Sequence, residues 1–384
     1  MLYRFLLALL NWLLPWTWKS KLNEMTDHGM DWLQGKILAW THPPPVNKID
    51  THHHFVPSFY REAVEAAGGD PSGWPTPSWS PLRSELLMKR LGIRTAILST
   101  TAPGACILQG EASYKLARQL NEYAADLRDK HPDRYGFFAN LPDISLHPDA
   151  ALAELAYALD TLHADGVTLF TRYGTSAATQ AYLGHPALEP IWAELHRRQC
   201  VVFVHPTHPA DPTAVNAHLP QPVIDYPHET TRTAMDMILQ GTRRKYPDCP
   251  VILSHAGGTL PYLITRLATP LRKAPDLAAG YVVGTTYEQV MADFRSFHFD
   301  LALSAAPQVV EVLRRMVPGD KILYGSDFPY APLPAYPAFL EELDGCEMSE
   351  EMREGVYFGN ARKLIPRLAG EAGVRGRSDA ELFE

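Results

Sequence analysis

Short apolar runs rich in β-branched and aromatic residues recur along the chain, each ending at or next to a polar residue. They span Asn47–His54, Arg94–Ser99, Arg134–Asn140, Gly166–Phe170, Cys200–His205, Pro250–His255, Ser296–Leu301 and Lys321–Asp327. Runs that lack polar alternation predict strands covered on both faces, as in a parallel sheet. Between them, apolar residues at helical spacing predict helices over Ser84–Leu91, Glu111–Lys130, Asp149–Ala164, His185–Gln199, Glu229–Tyr246 and Pro307–Met316. Strand and helix in alternation place the chain in the α/β class. The strand count favours a closed (β/α)₈ TIM-like barrel over an open doubly wound sheet. No G-x-G-x-x-G follows the first run and no P-loop is present, so a nucleotide-binding sheet is not indicated. The barrel is assigned to residues 46–384. Residues 1–45 form an N-terminal hydrophobic extension ending in the proline-rich linker Pro43-Pro44-Pro45.

Composition agrees with one large core. Of 384 residues, 46% are hydrophobic and 20% charged, which excludes a disordered chain. The formal net charge is −8 and no basic cluster interleaves with aromatics, so no nucleic-acid partner is expected. Cys106, Cys200, Cys249 and Cys346 show no C-x-x-C spacing and read as reduced thiols of a cytoplasmic protein. The run Met1–Trp18 is interrupted by Arg4, Asn11 and Pro15, and falls short of the roughly 20 residues a spanning helix needs. A helix packed on the barrel or on a partner, peripheral membrane contact through residues 1–18 with Trp12, Trp16 and Trp18 at the interface, and a secretory signal all remain open.

The candidate chemistry lies at the ends of the runs. The first ends Asp50-Thr51-His52-His53-His54, where strand alternation turns His52 and His54 to one side and His53 to the other. The fifth ends in His205, the sixth in Ser254-His255-Ala256-Gly257-Gly258, and the last in Gly325-Ser326-Asp327-Phe328-Pro329. In a (β/α)₈ barrel all these ends meet at one mouth. Any one of these residues alone reads as a buried structural histidine or a helix cap; together they point to a site. Three imidazoles and a carboxylate suit one divalent ion such as zinc, with manganese also compatible.

The motifs D-x-H-x-H, F-V-H-P, S-H-A-G-G and G-S-D-F-P resemble those of the amidohydrolase superfamily, over about residues 47–368. Within it they are most similar to the decarboxylase branch. The resemblance implies His52, His54, His205 and Asp327 as metal ligands, with His255 and Asp327 catalytic. It implies a homodimer in which Arg266 reaches the neighbouring subunit's site to bind substrate; Phe328, next to Asp327, is expected to line an aromatic substrate pocket. The implied reaction is non-oxidative decarboxylation of a small hydroxylated aromatic acid, best matched by 6-methylsalicylate giving 3-methylphenol in secondary metabolism. In that reaction the metal would chelate the ortho-hydroxyl and one carboxylate oxygen. The fourth run, Gly166–Phe170, has no lysine of the kind that bridges two metals in hydrolases of this superfamily, so a single ion is expected. Two alternatives stand beside this reading: a mononuclear hydrolase of a lactone, amide or ester, and a non-catalytic metal-binding or membrane-associated scaffold. His53, His208, Arg83, Arg172, Trp79 and Asn360 are expected to be structural or peripheral to the site.

Overall fold

A computed structural model describes residues 45–174, 179–211, 213–278 and 284–369; the expected extension lies outside them apart from Pro45. Eight parallel strands form the sheet: β1 Lys48–His54, β2 Ile93–Ser99, β3 Tyr135–Ala139, β4 Gly166–Phe170, β5 Val202–His205, β6 Val251–Leu253, β7 His298–Asp300 and β8 Ile322–Leu323, each paired with the next. The last strand returns to the first. Thr51 N donates to the Tyr324 carbonyl (3.0 Å), Asp327 N to the His52 carbonyl (2.8 Å) and His54 N to the Phe328 carbonyl (2.7 Å). The sheet is therefore a (β/α)₈ barrel, with β8 regular only at its start because residues 324–328 bend along β1.

The helices longer than five residues are α1 Ser58–Ala66, α2 Pro81–Leu91, α3 Gly110–Lys130, α4 Pro148–Asp160, α5 Glu189–Arg197, α6 Gln221–Leu239, α7 Leu260–Lys273, α8 Tyr287–Ser296, α9 Pro307–Met316 and α10 Ala335–Asp344. Local chemistry fixes many of the boundaries. The Ser80 side chain accepts from Arg83 N and Pro81 opens α2, while Gly92, at φ 67°, closes it. Thr286 and Gln289 form a capping box on α8. Helix α6 starts at Gln221, eight residues before the expected Glu229. Pro227 reads as a break in the sequence, yet it lies inside the helix at its seventh residue, where it removes the bond to the Val223 carbonyl and tertiary packing must offset the loss.

The core has two layers. One lies between strands and helices, with Trp192, Phe137 and Phe299 among its buried side chains. The other fills the barrel: Ile49, Ile97, Phe138, Phe203, Ile252 and Leu323 interleave and are sealed by Ala361, Ile365 and Leu368. Asn360 holds this seal by donating to the Gly319 and Ile322 carbonyls, both at 2.9 Å. The amino ends of the strands are thereby closed, leaving the carboxyl ends as the open mouth. Among the described residues no helix is long and apolar enough to cross a membrane.

Candidate metal centre

His52, His54, His205 and Asp327 meet at the mouth, each offering one donor atom within 4.8 Å of the others. All four are buried. His52 Nε2 and His54 Nε2 stand 3.0 Å apart, and Asp327 Oδ1 lies 3.3 Å and 3.1 Å from them. The opposite edge of each ring is tied down. His54 Nδ1 donates to the Ser99 carbonyl (3.1 Å) and His205 Nδ1 to that of Pro206 (2.7 Å); a carbonyl only accepts, so Nε2 keeps its lone pair. His52 Nδ1 faces Asp300 Oδ2 at 3.0 Å.

The backbone is shaped for this meeting. Asp327 sits at φ 62° and His255 at φ 54°, left-handed conformations that cost L-residues energy and cluster at functional sites. At Gly325 a Cβ would lie 2.8 Å from His52 Cβ, so glycine lets the end of the barrel pass against β1. Asp50 braces the same seam: its Oδ1 accepts from His52 N (3.1 Å) and Ser326 N (3.0 Å), and its Oδ2 pairs with His53 Nδ1 (2.9 Å).

Electrostatics separate the rings. Burial, reinforced by the neighbouring His54 and His52, holds His205 well below the ordinary histidine value. His54 is also lowered, first by burial. For His52, burial is outweighed by the Asp300 and Asp327 carboxylates, which carry it up to about 10. Asp327, despite burial, is held well below the carboxylate range by His52. Asp327 Oδ1 makes no hydrogen bond of acceptable geometry among the described residues. A proton on His52 eases the convergence of nitrogen lone pairs and carboxylate only in part; a divalent cation satisfies all four donors at once. The residues therefore fit such an ion.

His255 stands beside this set. Its Nδ1 donates to the Ala302 carbonyl (2.9 Å), and its Nε2 lies 4.0 Å from Asp327 Oδ2. A cavity of about 330 Å³ opens above, floored by His205, His255 and Asp327 and walled by Trp74, Tyr226, Tyr330, Phe339 and Leu303. The volume and lining suit one small aromatic ring.

The amidohydrolase family pattern matches residues 49–367. The chain belongs to the amidohydrolase family. The 6-methylsalicylic acid decarboxylase of Penicillium expansum is 47% identical over 324 residues, covering 84% of this chain and 97% of that protein. A second 6-methylsalicylic acid decarboxylase, from Aspergillus aculeatus, is 49% identical over 326 residues, covering 84% and 96%. In three dimensions the fold matches a dihydroxybenzoic acid decarboxylase from Polaromonas with bound manganese and the inhibitor 2-nitroresorcinol, at TM-score 0.70 and 23% identity over 83% of this chain and 97% of that one.

Against this amidohydrolase frame, the four expected ligands converge and His255 stands next to them. Two expectations fare differently. Phe328 is buried, its ring 5.1 Å from His53 and 5.8 Å from Tyr336, and does not line the cavity; as the neighbour of Asp327 it faces the opposite side, with His53. Tyr330, two residues on, faces the cavity instead. Arg266 is exposed on α7 and is not part of this chain's own cluster. His53 is structural, held between Asp50 and Ser84. The guanidinium of Arg172 donates to the His208, Gly174 and Pro209 carbonyls. Sequence reasoning missed Asp300, which orients His52 and accepts from His255 N at 3.1 Å. The signal was available: β7 also ends in one polar residue after an apolar run.

Proposed function

We propose that this chain is a metal-dependent, non-oxidative decarboxylase of 6-methylsalicylate, producing 3-methylphenol and carbon dioxide. One observation carries the reading: an imidazole outside the ligand set, His255, directs Nε2 toward Asp327 Oδ2 at 4.0 Å on the floor of an aromatic cavity. The high identity to fungal enzymes named for this activity supports the choice of substrate. His52, His54, His205 and Asp327 would hold a divalent ion, which would supply Lewis acidity beside the substrate's carboxylate.

The chain's residues do the rest. Tyr226, Tyr330 and Phe339 hold the ring and exclude water. When the bond to the carboxylate breaks, its electron pair stays on the ring carbon, which must gain a proton as carbon dioxide leaves. Asp327, kept ionised beside His52, leaves His255 Nε2 as the proton carrier facing the cavity. Asp327 would steady the positive charge of the His255 imidazolium before that proton is given up, and solvent would restore it afterwards.

Zinc is the proposed ion, because three imidazole nitrogens and one carboxylate suit it; manganese is the competitor to test beside it. A homodimer is proposed through the face of α7 that carries Arg266 and Tyr262, the latter 83% exposed, with Arg266 serving the partner's site. A mass measurement in solution tests the dimer. The function itself is tested by supplying metal-loaded protein with 6-methylsalicylate and, separately, with aryl lactones. Equimolar carbon dioxide and 3-methylphenol are expected; ring opening of a lactone without carbon dioxide release from the acid would establish a hydrolase instead.

A further inference from the structure

The loop between α1 and α2 carries a carboxylate into the cavity. Asp70 lines it together with Ser72 and Trp74, opposite the metal-binding floor. The loop holds the carboxylate in place: Asp70 Oδ1 accepts from Ser72 N (2.8 Å), and the Asp70 carbonyl accepts from Gly73 N (2.9 Å). Tyr226 and Tyr330 lie between the two acids. Burial raises both phenols, and the Asp70 and Asp327 carboxylates each push them further, so both stay protonated. Among the described residues lining the cavity there is no lysine or arginine. Arg266 of a second copy, if it reaches this site as proposed, brings one charge for the one carboxylate that must be removed.

A ring bearing a second carboxylate would thus bring a further anion into a largely apolar space that the Asp70 carboxylate already lines. We infer that Asp70 is a specificity-determining residue that admits salicylates carrying neutral substituents and rejects those carrying a second carboxylate. This rests on the proposed decarboxylase reading and names the substrate class that the site excludes.

The test uses full-length, metal-loaded protein and three salicylates with a second carboxylate: 3-hydroxyphthalate, 4-hydroxyisophthalate and 2-hydroxyterephthalate. Their inhibition constants against 6-methylsalicylate turnover are measured for the wild type, Asp70→Asn and Asp70→Glu. Asn keeps an acceptor for Ser72 N, and metal content checks that the site is intact. The ratio of inhibition constant to the KM for 6-methylsalicylate should fall about tenfold or more in Asp70→Asn for at least one dicarboxylate. It should stay near the wild-type value in Asp70→Glu. A ratio that moves less than threefold for all three, or that falls equally in the Glu variant, overturns the inference. Wild-type protein that does not turn over 6-methylsalicylate would instead defeat the function proposed above.

Discussion

Asp300 illustrates how much a residue without a ligand role can decide. Its Oδ2 holds the far edge of His52, and its Oδ1 accepts from His255 N and Ala302 N, so one buried carboxylate positions both His52 and the backbone of His255, the proposed proton carrier. Removing such a support costs metal proteins about 10–100-fold in affinity. Asp300→Ala is expected to lose metal to a competing chelator in that range; unchanged affinity would mean that His52 orients itself. His255→Ala should separate the two functions of the site. Metal content should stay near wild type while turnover falls by about 10²–10⁴-fold, and loss of metal would show His255 to be a ligand. The ligand residues were legible in the sequence because His205 and Asp327 end apolar runs and His52 and His54 share one face of a strand end. Phe328 was misread because adjacency to Asp327 suggested the cavity, whereas next neighbours along a strand face opposite sides and its ring packs outward on His53.

At the level of elements, the seam between β8 and β1 and the turn after β6 bring the site together. Gly258, at φ 63°, packs where a Cβ would lie 2.0 Å from the Pro227 carbonyl oxygen of α6. Gly258→Ala therefore meets both an unfavourable backbone conformation and a clash with main chain. A loss of stability of about 2–4 kcal/mol is expected in urea unfolding, with turnover that falls as His255 shifts while metal content stays near wild type. A neutral result would imply that α6 yields at Pro227. The strand and helix alternation was readable because period and β-branching report burial directly. Helices α1, α7, α8 and α10 were not anticipated. Pro261 and Pro337 fall in the first turns of α7 and α10, where proline is tolerated, whereas Pro270 inside α7 looks like a break that tertiary packing overrides. The start of α6 was lost for the same reason.

Across the whole molecule, the sealed amino end and open carboxyl end of the barrel give the protein one functional face. Burial of histidines elsewhere sets its response to acid. His298 is pushed down to about 3 by burial and by the charges of Lys321 and Arg243, whereas an unfolded histidine titrates near 6.5. Between those values the unfolded chain binds more protons, so this contribution to stability is complete above about pH 6.5 and is lost as pH falls toward 3. His208, lowered to about 4 first by burial, acts in the same direction. Urea unfolding of metal-loaded protein should show a smaller decline between pH 7 and pH 5 in His298→Gln than in the wild type; equal declines would place the acid sensitivity elsewhere. The same cluster of buried donors makes catalysis depend on one cation. The most direct test is to titrate metal-free protein with Zn²⁺, and in parallel with Mn²⁺, while following carbon dioxide release from 6-methylsalicylate. The rate should rise linearly from zero and break at one ion per chain. A break at two ions, or full turnover with none, would contradict a mononuclear site built from His52, His54, His205 and Asp327.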